Sequence, residues 1–215
     1  MKSNVDSLLE KSIACAVSAI EIYNKPDFKY REETFSILMI NSWELVLKAK
    51  KIKDANNNLK VIYVKENIQK KHGGKSKKWK YKMNNKGYYI TLGIETLISE
   101  FENNSEIDKR CLESISLLNI IRNNSIHLIN KDNELASIVY EIGSANLKNY
   151  IEFIIDNFNK DLSKYNFYLM PISFYNEYEI IDNIKIQDTS FKNKLKTDLL
   201  DLNAKYKSGP NEKYN

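Results

Sequence analysis

Residues 30–53 read YREETFSILMINSWELVLKAKKIK. Within them Phe35, Leu38, Met39, Trp43, Leu45, Val46, Leu47 and Ala49 make a broad apolar face. Recurrence at three and four residues stacks such side chains along one side of a helix, so the stretch predicts a long helix with much of its surface buried. Upstream, Val5, Leu8, Leu9, Ile13, Ala16, Val17 and Ile20 repeat the pattern and predict a helix over 5–23. Asn24-Lys25-Pro26-Asp27 stops it, because proline cannot continue the hydrogen-bond ladder.

Downstream, Asn56-Asn57-Asn58 reads as a turn. Residues 59–64 alternate weakly and predict a short strand, and Tyr88-Tyr89-Ile90-Thr91-Leu92 a second, with an irregular basic stretch beginning at His72 between them. The two would form a small hairpin. A modest helix over 93–102 follows. Ser105 is placed to cap a helix over 106–129, with Glu106 and Asp108 in its first turn. Another helix covers 132–160, with Gly143 loosening its middle. Beyond Tyr165 the character changes: 166–172 and 178–181 look extended, and a final helix starts at Asp188 or Thr189 and runs to Tyr206. The expectation is a mainly α fold, a bundle of four to five helices over 1–165, with a small β-hairpin from 59–64 and 88–92 around a basic insertion at 65–88, and a C-terminal extension over 166–215.

Composition narrows the function. Hydrophobic residues at 42% supply a core, and only 6 Gly and 3 Pro in 215 residues favour long elements. No apolar run approaches the ~18 residues of a membrane span, and the N-terminus lacks a signal-peptide core, so a cytoplasmic protein without membrane contact is expected. Cys15 and Cys111 sit in apolar patterns and read as buried small hydrophobes. There is no phosphate-binding glycine loop, H-E-x-x-H or C-x-x-C, and no cofactor or metal is expected. Pro26-Asp27 lacks the E-x-K partner that a metal-dependent nuclease would need.

The net charge of +5 is unevenly placed. From Lys65 to Lys86 nine lysines face one acid, Glu66, so this segment carries +8 and the remainder is net acidic by three. Within it Lys75, Lys77, Lys78, Trp79, Lys80 and Tyr81 interleave cations with aromatics. Lysines gain by releasing counterions from a phosphate backbone, and Trp and Tyr rings stack on unpaired bases. The segment therefore reads as a contact for single-stranded or loop RNA. The competing reading is a solvated loop with Trp79 tucked into the core.

There are two histidines. His72 lies in the basic loop beside two glycines, where a solvated role is the default. His127 closes Arg122-Asn123-Asn124-Ser125-Ile126-His127. At ~100° per residue Asn123 and His127 share a face, and Arg122 lies ~140° from His127. These residue types suit RNA cleavage without metal. RNA carries its own nucleophile, the 2′-hydroxyl; a histidine takes or gives the proton near neutral pH, an arginine holds the phosphorane oxygens, and an asparagine orients either. The spacing alone is equally met by a surface arginine and a satisfied helix-end histidine.

The neighbouring segments add to it. Arg122, Asn123 and His127 resemble the Arg-(four to six residues)-His signature of the HEPN superfamily. Trp43-Glu44-Leu45-Val46-Leu47-Lys48-Ala49 resembles the E-L-x-L-K-A helix common in such domains. Ala19-Ile20-Glu21-Ile22-Tyr23-Asn24-Lys25-Pro26 with Tyr30-Arg31 is similar to the start of an uncharacterised bacterial HEPN-like family. The resemblance covers about residues 5–160, and leaves out the basic insertion and the segment after 165. It implies a HEPN-like bundle of four or five helices and a metal-independent endoribonuclease, often a toxin or phage-defence effector. It further implies a homodimer whose facing motif helices build a composite active site, and an antitoxin or defence-system partner. Arg122 would stabilise the transition state, His127 act as acid or base, Asn123 orient them, and Glu44 support the site from the second helix. The alternatives are a non-catalytic RNA-binding module and a helical interaction module on the same scaffold.

Overall fold

A computed structural model describes residues 3–69, 75–127, 133–167 and the helical positions 197, 198, 200 and 201. Among these, five helices and a two-stranded antiparallel sheet form a mainly α fold with a small hairpin.

Helix α1 (Asn4–Asn24) starts at Ser3, whose Oγ accepts the Asp6 N–H at 3.0 Å, and ends just before Pro26. Helix α2 (Arg31–Asp54) is the breadth of the quoted stretch made physical. It packs against α1, α3, α4 and α5 alike. A helix contacted on all sides must be apolar nearly all round, and Phe35, Met39, Ile40, Trp43, Val46, Leu47, Ala49 and Ile52 are all buried. Trp43 sits edge-on to Tyr150 and Phe153, with ring centroids 5.3 and 5.6 Å away.

Two buried polar networks lock the helices in register. Ser12 in α1 donates to the Ser42 carbonyl at 2.7 Å, and Ser42 Oγ donates to the Ser12 carbonyl at 2.9 Å. Each hydroxyl has then spent its one hydrogen, so Tyr150 donates its own to Ser12 Oγ at 2.7 Å. The second network joins α4 (Lys109–His127) to α5 (Asn133–Phe158). Asn146 Nδ2 donates to the Ser114 carbonyl, and Asn149 Nδ2 to Ser114 Oγ. α5 runs unbroken through Gly143 rather than loosening there.

The middle of the chain departs from the expected strand pair. Leu59–Ile62 is a 3₁₀ turn, not a strand, started by the Asn58 side chain accepting the Lys60 N–H. Asn56 and Asn57 before it take positive φ, which asparagine tolerates. The sheet lies instead inside the basic segment: β1 (Lys65–Gln69) pairs with β2 (Lys75–Tyr81), Lys65 opposite Tyr81 and Asn67 opposite Trp79. The region around Tyr88–Leu92 contributes only bridges, Tyr63 with Thr91 and Met83 with Tyr89. Between them Gly87, at φ +83°, turns the chain, and Asn84 Oδ1 caps the Lys86 and Tyr88 amides.

Helix α3 (Ile94–Asn103) matches its expected span. Ser105 does not cap the next helix. It takes the left-handed conformation at φ 53° and closes α3, its N–H bonding Glu102 while that of Glu106 bonds Phe101. The cap of α4 is Asp108, whose Oδ1 accepts the Arg110 N–H at 2.8 Å. After α5, Leu162 returns to the core and Phe167 stacks on Tyr150 at 6.1 Å. Of the segments expected to be extended at 166–172 and 178–181, all but residues 166 and 167 lie outside the described residues, as does most of the final helix.

Candidate active site

Arg122 and Asn123 lie near the C-terminal end of α4, and His127 is its last residue. Leu118 and Ile121 hold that end against the core, both fully buried. Arg122 and Asn123 are half-buried on the neighbouring side. The His127 side chain lies outside the described residues, as do those of Lys75 and Lys77.

The guanidinium of Arg122 is held from within its own helix. Its Nη2 donates to Asn119 Oδ1 at 2.6 Å. Asn119, itself buried, donates from Nδ2 to Glu95 Oε1 in the first turn of α3, at 3.2 Å. Among the described residues Arg122 Nε is buried without a hydrogen-bond partner, and no ion pair involves this arginine. A buried N–H without a partner costs about 1–3 kcal/mol. The arginine is thus held by a neutral group and, among the described residues, is paired with no carboxylate.

Asn119 and Glu95 were not among the residues picked out from sequence. The spacing did contain a signal for Asn119. Positions 119, 122, 123 and 127 fall at one-turn steps, and at ~100° per residue Asn119 projects between Arg122 and His127. Glu95 had no local signal, because only packing of α3 on α4 brings it there.

Glu44, expected either to support the site or to serve a structural role, makes an ion pair within α2. Its carboxylate takes Lys48 Nζ at 2.6 Å, and Lys48, 6% exposed, also donates to Thr91 Oγ1 at 3.0 Å. The pair clamps α2 to the base of the hairpin. Thr91 and Glu95 belong to one short stretch, so the contacts of Glu44 and of Arg122 end on the same joint, where the hairpin returns to the bundle.

The hairpin is the second candidate surface. Trp79 is 50% exposed, so the core-tucked reading is excluded. Lys65 Nζ lies 4.5 Å above its ring, and Tyr81 meets it edge-on at 5.3 Å. Tyr63 stacks on Tyr89 at 4.7 Å, and both touch Tyr81. Glu66, Trp79, Lys80, Tyr81, Met83 and Tyr89 line a shallow depression of about 440 Å³. Lys78, Lys80, Lys82 and Lys86 are exposed, and Glu66 pairs with Lys80 at 3.4 Å. Tyr63, Met83 and Tyr89, outside the run of interleaved cations and aromatics, also join this surface.

Burial pushes both Cys15 and Cys111 above the ordinary thiol value. Among the described residues no group of three His, Cys, Asp or Glu is gathered to hold a metal, and no helix is long and apolar enough to cross a membrane.

A family model described as a domain of unknown function, DUF3644, matches residues 7–208, which takes in the bundle, the hairpin and most of the segment beyond α5. No curated protein and no solved structure matches the chain.

Proposed function

We propose that this chain, which belongs to the DUF3644 family, is a metal-independent endoribonuclease of HEPN type. The observation that carries the reading is Arg122: a half-buried guanidinium, set in R-N-x-x-x-H on the last turns of α4, oriented by an amide and paired with no carboxylate among the described residues. A cation kept in place but not neutralised favours an anion that arrives from outside. The phosphorane of RNA cleavage is such an anion.

The chemistry follows from the substrate's own hydroxyl. One histidine removes the 2′-OH proton and the 2′-oxygen attacks phosphorus. The P–O5′ bond breaks and the 5′-oxygen leaves with a proton from a second acid. The products are a 2′,3′-cyclic phosphate and a 5′-hydroxyl. His127 supplies one of these roles, and the equivalent histidine of a second copy supplies the other in a homodimer with facing motif helices. Asn123, one turn before His127, orients the cleft. The hairpin, with Lys78, Lys80, Trp79 and Tyr81, feeds single-stranded RNA to it, and Lys75 and Lys77 of β2 add charge. In a cell such an enzyme acts as a toxin or defence effector restrained by a partner protein in the cytoplasm.

The test is incubation with total RNA in EDTA, for the parent, Arg122→Ala and His127→Ala, with helical content checked by circular dichroism. Cleavage to cyclic phosphate ends by the parent, lost in both folded variants, bears the proposal out. Undiminished cleavage by His127→Ala overturns it. The exposed aromatic and basic hairpin favours a second reading, RNA binding without turnover. Tight, salt-sensitive binding of RNA that stays intact selects that one.

A further inference from the structure

We infer that Glu95 is a positioning residue for Arg122, acting through Asn119; this rests on the ribonuclease reading above. A carboxylate only accepts hydrogen bonds, a guanidinium only donates them, and a primary amide does both. Asn119 stands between Glu95 and Arg122, with Nδ2 3.2 Å from the carboxylate and Oδ1 2.6 Å from the guanidinium. Turned the other way, the amide would set oxygen against oxygen and N–H against N–H. Glu95 therefore fixes the sense of the Asn119 amide, and the amide fixes the guanidinium.

The consequence is electrostatic. Direct contact between Glu95 and Arg122 would hold the arginine as firmly but would neutralise it. With the amide interposed, the carboxylate's orienting power is transmitted and its charge is kept one side chain away, which leaves the guanidinium cationic towards a phosphate. Asn119 is buried, so it does not swap these partners for solvent. Glu95 comes from a different helix from the other two, and it follows directly on the Thr91 joint held by Lys48 and Glu44. Arg122 is thereby referenced to the base of the hairpin rather than to α4 alone.

The experiment compares the full chain with Glu95→Ala, Glu95→Gln and Asn119→Ala. Glutamine retains an acceptor oxygen for Asn119 Nδ2; alanine does not. For cleavage of a single-stranded RNA, Glu95→Ala is expected to lower kcat about 10-fold at unchanged KM, because the interaction matters where charge develops. Asn119→Ala lowers it at least as much, and Glu95→Gln returns to within about threefold of the parent. Each variant is also read by NMR of the Arg122 guanidinium, identified by its loss in Arg122→Lys. The Asn119 bond slows rotation of Nη2, giving a resolved signal in the parent and Glu95→Gln that averages out in Glu95→Ala. Parental kcat in Glu95→Ala, or equal losses in Glu95→Ala and Glu95→Gln, overturns the inference. If the parent itself cleaves nothing, the functional reading falls, and the NMR comparison alone decides: a signal persisting in Glu95→Ala refutes the positioning role.

Discussion

The Ser12–Ser42–Tyr150 cluster and the Glu95–Asn119–Arg122 chain are both polar contacts between helices, built from similar numbers of bonds at similar distances. In the first, every hydrogen has an acceptor inside the cluster, and the surroundings are Trp43 and the aromatic core. In the second, the line runs from an exposed carboxylate through a buried amide to a half-buried cation, whose Nε has no partner among the described residues. The first is finished within the chain and serves to fix helix register. The second ends on a half-buried cation, where the proposed ribonuclease would meet an incoming anion; the unpartnered Nε alone does not set it apart, since Trp43 Nε1 beside the first cluster also lacks a partner among the described residues.

Changes on the two sides should therefore separate stability from activity. The largest effect belongs to the closed side. Trp43→Ala removes the ring packed on Tyr150 and Phe153 and should destabilise the fold by about 3–5 kcal/mol, read from urea unfolding. Next, on the open side, Arg122→Ala should reduce RNA cleavage about 10²–10³-fold. Its unfolding free energy should change by less than about 1 kcal/mol, because the lost Asn119 bond is offset by removing a buried N–H that has no partner among the described residues. A large loss of stability instead would make Arg122 a structural residue and erase the contrast. Trp79→Ala should weaken single-stranded RNA binding by about 1–3 kcal/mol without affecting unfolding, measured by titration at fixed salt. Tyr150→Phe is smaller, about 0.5–1.5 kcal/mol of stability, with cleavage unchanged.

The smallest effect is on pH dependence. Burial, partly offset by the Ser12 and Ser42 hydroxyls, holds the Tyr150 phenol above its ordinary value near 10. The folded chain then keeps this proton where the unfolded chain releases it. The Tyr150 contribution is full below pH 10 and is lost as pH rises from there. Tyr150→Phe should flatten that alkaline decline, while Arg122→Ala should leave its slope as in the parent.

What sequence made legible follows the same division. α1, α2, α3 and α5 lie within a residue or two of their expected spans because their apolar periodicity is local and strong. α4 misled at its start, since both Ser105 and Asp108 are good caps and only the left-handed closure of α3 decides between them. The basic segment read as irregular because its strands bury almost nothing: Lys78, Trp79 and Lys80 are all exposed, and alternation of burial is what betrays a strand. Arg122 and Asn123 stood out by type and spacing. Glu95 did not, since its partner lies 24 positions away and no periodic rule links them.

The chain has two tryptophans, and they occupy opposite surroundings: Trp43 is completely enclosed, whereas Trp79 is half open to water beneath the Lys65 ammonium. An enclosed indole emits at shorter wavelength and is shielded from collisional quenchers; an open one emits further to the red and is readily quenched. A single emission spectrum of the unmodified protein therefore holds two separable reporters. One follows the integrity of the bundle, and the other follows whatever settles on the hairpin, with no label attached to either.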